Sequence, residues 1–254
     1  MKIQFMSDLH LEFMENLAYF MSNPIKKVGE VLILCGDIVP FYYLKNSLRI
    51  FCDQLRGYEL VLWIPGNHEY YHSDMKDKIG SFDEIIDGNI HLVNNITYKY
   101  KDVNIICSTM WTHISESSRL YVERGMSDYS VIKYGDYWFS SNVCNDIHDE
   151  SVQFITAELE KHQGEKCIVA THHVPTLINY PEKHRDSFIN EGFAVEHSDV
   201  INRLQPMAWI YGHSHFNTPD FNIGQTKMLT NQLGYVKYGE QEGFSYDRYI
   251  DSKL

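Results

Sequence analysis

Five short segments of the chain carry residue types that hold metal ions and move protons. They are Asp8 with His10, Gly36 with Asp37, Gly66 with Asn67 and His68, the pair His172 and His173, and Gly212 with His213 and His215. Singly, each has an ordinary explanation: an Asp before a helix is often an N-cap, a Gly a turn residue, and a lone His a hydrogen-bonded structural side chain. Together they are hard to explain as caps and turns. Carboxylate, amide and imidazole donors form a mixed oxygen and nitrogen set, which suits Zn, Mn, Fe or Co better than the all-oxygen cages of Ca or Mg. These segments offer no thiolate. The chemistry expected of the set is binding of two divalent transition metal ions, with Asp37 placed to bridge them through its two carboxylate oxygens.

Positioning these residues falls to the apolar runs at 3–6, 31–34, 60–64, 103–107, 167–170 and 207–211, rich in branched or aromatic side chains and therefore read as buried strands. Five of the six end at the polar groups above, and ligands of open α/β sheets bind beyond the carboxyl ends of strands. Between the strands the period becomes helical. Leu44, Leu48, Phe51 and Leu55 form one stripe, Met75, Ile79, Phe82 and Ile86 a second, and Val152, Ile155 and Leu159 a third. This alternation predicts an α/β fold, with antiparallel hairpins near 96–100 and 226–230. Residues 111–145, rich in Tyr, Ser and Asp and weakly periodic, fit a loop or cap better than a core element.

The chain has 254 residues, 44% of them hydrophobic, which suffices for one large domain spanning 1–254. Its formal charge of −12 argues against stable nucleic-acid binding, which draws on Lys and Arg. No stretch nears the ~18 consecutive apolar residues of a membrane span. Asp8, His10 and Glu12 interrupt the place where a signal peptide would need an apolar run, so a cytoplasmic protein without membrane association is expected. The odd number of cysteines, without any CxxC, predicts buried free thiols rather than disulfides or a zinc knuckle.

The ordered series D-x-H, G-D, G-N-H-E, T-H-H and G-H-x-H, carried here by Asp8 and His10, Gly36 and Asp37, Gly66 to Glu69, Thr171 to His173, and Gly212 to His215, resembles the calcineurin-like metallophosphoesterase superfamily. The blocks Ser108-Thr109-Met110-Trp111, Met126-Ser127-Asp128-Tyr129 and Asn231-Gln232-Leu233-Gly234-Tyr235 resemble a bacterial branch of predicted phosphohydrolases. In the last block, Gln232 and Leu233 stand where that branch has Pro and Arg.

The resemblance implies a two-sheet α/β sandwich flanked by helices, with the site at the top of both sheets. One ion would take Asp8, His10, Asp37 and His215, and the other Asp37, Asn67, His172 and His213. A water shared by two ions ~3.5–4 Å apart loses a proton readily and attacks phosphorus in line. His68 would protonate the leaving group. Glu69 is expected to hold that imidazole or cap the following helix, and His173 to lie near the substrate or behind the ligands. Asp128 and Tyr129 are candidates to face substrate, with a packing role favoured for Tyr129. The activity implied is metal-dependent hydrolysis of a small phosphate ester by a phosphatase or phosphodiesterase. The alternatives are a nuclease, a protein Ser/Thr phosphatase or a non-catalytic scaffold. A scaffold should have lost ligands or His68, and here every motif position is filled.

Overall fold

A computed structural model describes residues 1–43 and 49–253. Among the described residues the strands are β1 (Lys2–Met6), β2 (Val31–Cys35), β3 (Leu60–Ile64), β4 (Phe82–Asp87), β5 (Ile90–Asn94), β6 (Ile96–Tyr100), β7 (Val103–Ser108), β8 (Lys133–Tyr134), β9 (Tyr137–Trp138), β10 (Lys166–Thr171), β11 (Ala208–Tyr211), β12 (Phe221–Ile223), β13 (Thr226–Thr230) and β14 (Tyr249–Asp251). The α-helices are α1 (Met14–Ser22), α2 (Arg49–Leu55), α3 (Arg119–Gly125), α4 (Asp128–Val131), α5 (Ser141–Lys161), α6 (Glu182–Arg185) and α7 (Ser198–Leu204).

Two six-stranded sheets result, in the orders β14-β1-β2-β3-β5-β4 and β12-β13-β11-β10-β7-β6. Each has four parallel strands at its centre and an antiparallel strand at either edge. The parallel strands are continuous apolar runs because both of their faces are covered. With a side-chain period of two, Val31, Ile33, Cys35, Leu62 and Ile64 of the first sheet pack against Ile105, Cys107, Ile168, Ala170 and Ile210 of the second. Leu32, Leu34, Val61 and Trp63 face outward, against Phe20 and Leu55 of the helices on that side. Val169 and Trp209 face outward from the second sheet, against Ile155 and Leu159 of α5. The architecture is the expected α/β sandwich flanked by helices.

The expected hairpins form as β6-β7 and β12-β13. The stripe Val152, Ile155 and Leu159 belongs to α5, which the Ser140 hydroxyl caps by accepting from the Val143 amide. Phe51 and Leu55 lie in α2, while Leu44 and Leu48 fall outside the described residues. The helix expected over Met75, Ile79, Phe82 and Ile86 is not formed. A single 3-10 turn, Met75–Lys78, is broken by Gly80 at a φ of 69°, and Phe82–Asp87 becomes edge strand β4 beside β5. The edge of β5 needed a partner for its amides and carbonyls, and that need overrides a 3-to-4 spacing which an exposed edge strand can mimic.

Residues 111–145 hold α3, α4, β8, β9 and the first turn of α5. Their apolar side chains Trp111, Ile114, Val122, Ile132 and Phe139 are buried together with Tyr70 and Met75, each worth roughly 1.5–3 kcal/mol. This segment is packed down, not a bare loop. All five cysteines are buried free thiols. Among the described residues no helix is long and apolar enough to cross a membrane.

Candidate active site

Strands β1, β2, β3, β10 and β11 deliver their carboxyl ends to one edge of the sandwich, and the turns that leave them carry the polar residues. Asp8, His10, Asp37, His213 and His215 all take left-handed backbone, with φ between 47° and 72°. Such a conformation costs a residue with a Cβ on the order of 1–3 kcal/mol and persists only where its surroundings over-determine it. Here the turns are laced together. The amides of Asp8 and His10 donate to the carbonyls of Gly36 and Asp37, both at 2.9 Å. The His213 amide donates to the Asp8 carboxylate at 3.0 Å and so joins the second sheet to the first. A Cβ at Gly66 would run into the Asp37 carboxylate, which explains glycine there.

Glu69 has a different task from either expected for it. Its carboxylate accepts from the amides of Asp37 (2.9 Å), Ile38 (2.8 Å) and Gly66 (2.7 Å) and from the Trp63 indole (2.9 Å). It neither touches His68 nor caps a helix, because these donors of the two preceding turns surround it first. Burial pushes its pKa up, against the pull of the four donors.

The candidate ligands gather in two overlapping groups: Asp8, His10, Asp37 and His215, and then Asp37, His172 and His213. Asn67 joins the second through Oδ1, 3.1 Å from His172 Nε2. Its orientation follows from its Nδ2, which donates to buried Asp128 at 2.8 Å. Asp37 reaches both groups, with Oδ1 3.4 Å from His172 Nε2 and Oδ2 3.7 Å from His10 Nε2.

The tautomers of the four histidines follow from their outer partners. His10 Nδ1 lies 3.2 Å from Glu12 Oε1 and His215 Nδ1 2.8 Å from Glu240 Oε2; His172 Nδ1 is 2.8 Å from the Cys35 carbonyl and His213 Nε2 3.3 Å from the Gly192 carbonyl. These oxygens only accept, so the outer nitrogen carries the proton and the inner one presents a lone pair. Inside the cluster, His10 Nε2 stands 2.9 Å from His215 Nε2, and His172 Nε2 3.0 Å from His213 Nδ1. Lone pairs so placed need a cation between them. Protons are poor candidates: burial, then the neighbouring His68, takes His10 down to about 3, and burial holds His172 and His213 well below the usual imidazole range. Burial, then Glu69 and Asp8, pushes Asp37 well above the carboxylate range. No Lys or Arg is among the described residues lining the adjoining cleft of about 350 Å³. The donor set therefore fits divalent cations.

His68 faces the same cleft. Its Nε2 is 4.0 Å from Asp37 Oδ2 and 3.3 Å from the Tyr235 hydroxyl, and its ring stacks on Tyr71 at 4.1 Å. Its Nδ1 lies 2.8 Å from Glu12 Oε1, the oxygen that also serves His10. Burial works to raise the Glu12 pKa, yet the hydrogen bonds from His10 and His68 hold it down to about 2. Glu12 and Glu240 were not anticipated as partners of the cluster. Glu12 stood two residues past His10, where it could have been noticed; Glu240 gives no sequence signal, since only the loop after β13 brings it to His215. His184 on α6 also lines the cleft.

The neighbours His172 and His173 part company. His173 turns its Nδ1 to the Thr109 carbonyl at 3.2 Å and packs between Trp111 and His213, outside both ligand groups. Tyr129 stacks on Phe139 at 5.3 Å, in a packing role, while Asp128 reaches the site through Asn67 and through Tyr71. Bound metal per chain is expected to fall by about one ion in His172→Ala and to hold in His173→Ala. Elemental analysis of the two variants checks this, and the reverse outcome would exchange their roles.

A family model of calcineurin-like phosphoesterases matches residues 1–217. The Uncharacterized protein L509 of Acanthamoeba polyphaga mimivirus is 32% identical in a match covering 98% of this chain and 96% of that protein. Among solved structures, the phosphopantetheinyl hydrolase of Mycobacterium tuberculosis shares the fold with a TM-score of 0.73 at 16% identity, over 100% of this chain and 97% of that one.

Proposed function

The chain belongs to the calcineurin-like phosphoesterase family and is a phosphoric ester hydrolase, and we propose that it cleaves a small phosphate monoester or diester at a centre of two divalent transition metal ions. The observation that carries the reading is the convergence of four inward-facing ring nitrogens on the two oxygens of Asp37. Asp8, His10, Asp37 and His215 would hold one ion and Asp37, Asn67, His172 and His213 the other. When bound, two such ions supply an acidified water and positive charge for the phosphoryl oxygens.

The chain's own residues do the rest. His68 holds a proton at Nε2 for the departing oxygen, at the mouth of the ligand cluster. Glu12, an acceptor at Nδ1, orients that ring. Asp128 fixes which end of the Asn67 amide turns inward, and Glu69 holds the Asp37 turn in place. Tyr71 and Tyr235 flank His68 and shield it from water. With no Lys or Arg among the described residues of the lining, a long polyanion gains little grip, so duplex DNA is expected to be a poor substrate.

Metal analysis of the purified protein, paired with rates on p-nitrophenyl phosphate, bis-p-nitrophenyl phosphate, a mononucleotide and duplex DNA, tests the reading. The expected result is two equivalents of Mn, Fe, Zn or Co and turnover of the small esters, lost on chelation and restored by metal. Full activity in metal-free protein would overturn the mechanism. Fastest turnover on the duplex would make the protein a nuclease instead, and no turnover by metal-loaded protein would return it to the scaffold class.

A further inference from the structure

Two segments far apart in sequence line the cleft together, the end of α3 with Met126 and Ser127, and Ser187, Ile189 and Asn190, with Phe188 between them outside the lining. Gly125 lets them touch, since a Cβ there would meet Ile189 Cγ2 at 2.6 Å. Where these segments leave the cleft, Tyr121 and Phe188 stack at 5.1 Å with their planes 24° apart, although Tyr121 is 55% and Phe188 74% exposed. An exposed aromatic pair contributes little to the core, and beside a ligand cleft it offers an apolar contact surface. Charge runs the same way. Glu240 lines the cleft, no Lys or Arg does among the described residues, and Lys183 on α6 sets its ammonium over the Phe216 ring.

Resting on the phosphoesterase reading, we infer that Met126, Ile189 and the Tyr121–Phe188 pair form a subsite for the alcohol half of the ester, and that this half is an extended, uncharged and largely apolar arm. A nucleoside di- or triphosphate would set its additional negative charges beside Glu240, where the described lining offers no Lys or Arg and the nearby Lys183 ammonium already acts on Glu240. A long, uncharged arm would meet Met126 and Ile189 among the polar lining residues of the cleft and the Tyr121–Phe188 pair beyond them, and this assigns residues 111–145 a part in choosing the substrate.

The test compares methyl, butyl and octyl phosphate, below micellar concentrations, with ADP on metal-loaded protein. kcat/KM is expected to rise at least about ten-fold from methyl to octyl phosphate, since even single methylenes count in an apolar pocket, and ADP is expected to fall below octyl phosphate. Phe188→Ala and Tyr121→Ala should each shrink the octyl-to-methyl ratio several-fold. A flat series, ADP as the better substrate, or variants that keep the parent ratio would overturn the subsite. Binding of octylphosphonate against methylphosphonate, read by calorimetry, separates the two claims. If no ester turns over yet octylphosphonate binds at least ten-fold tighter and the variants erase the difference, the subsite stands and the reaction assignment falls; equal affinities overturn the subsite.

Discussion

Asp37→Ala is expected to release both metal ions and lower phosphoester turnover by on the order of 10³-fold or more, beyond the loss from any other single ligand. Among the described residues Asp37 is the one carboxylate shared by both ligand groups, and a bound cation is worth several kcal/mol of charge stabilisation at phosphorus, with each 1.36 kcal/mol counting ten-fold. The same side chain has a structural duty, because Oδ1 accepts from the His68 amide at 2.9 Å. Asp37→Asn, which keeps the shape and an acceptor oxygen but removes the charge, separates the two. Lost metal and activity in a normally folded Asn variant would assign the effect to the charge. Two ions retained per chain in either variant would remove Asp37 from the bridging position.

His68→Ala should leave metal content intact and slow esters of poor leaving groups by roughly 10²–10⁴-fold, the usual worth of a positioned acid. Esters of p-nitrophenol should be largely spared, since p-nitrophenolate departs without a proton. The comparison isolates protonation from binding, as both substrates present the same phosphoryl group. Equal losses on both would show that the imidazole stabilises the phosphoryl charge or orients the reactants. Loss of an ion in this variant would mean that His68 is a ligand, for which its Nε2, 4.0 Å from Asp37 Oδ2, would have to move inward.

The strand ends were legible because buried parallel strands are unbroken apolar runs, and a polar residue just beyond such a run has few places to go. Asp8, Asp37, Asn67, His172, His213 and His215 stand out on that ground alone, and the structure gathers the acids and histidines into two groups that share Asp37, each with ligand atoms within 4.8 Å of one another, with Asn67 beside His172. The helix expected across Met75 to Ile86 failed for the converse reason. Its register depended on what β5 lacked, and local spacing carries no record of a missing neighbour. Glu69 was misread on similar grounds: its partners are the backbone amides of Asp37 and Ile38, three decades of residues upstream and donors common to nearly all residue types. Glu240 and Tyr235 reach the histidines by loop closure, which no periodicity encodes.

Both ligand groups straddle the interface between the sheets: Asp8 and His10 stand opposite His215, and Asp37 opposite His172 and His213. The sandwich therefore works like a vice whose jaws are the two sheets and whose screw is the layer of Ile33, Ile64, Ile105 and Ile210 between them. Adding or removing a methylene in that layer shifts packed elements by fractions of an ångström, a distance that would reset the bite on each ion. Selection for a new metal preference or a new rate could then act on aliphatic residues that never meet the ester, and variants enriched by such selection would map to the middle of the sandwich as often as to its rim.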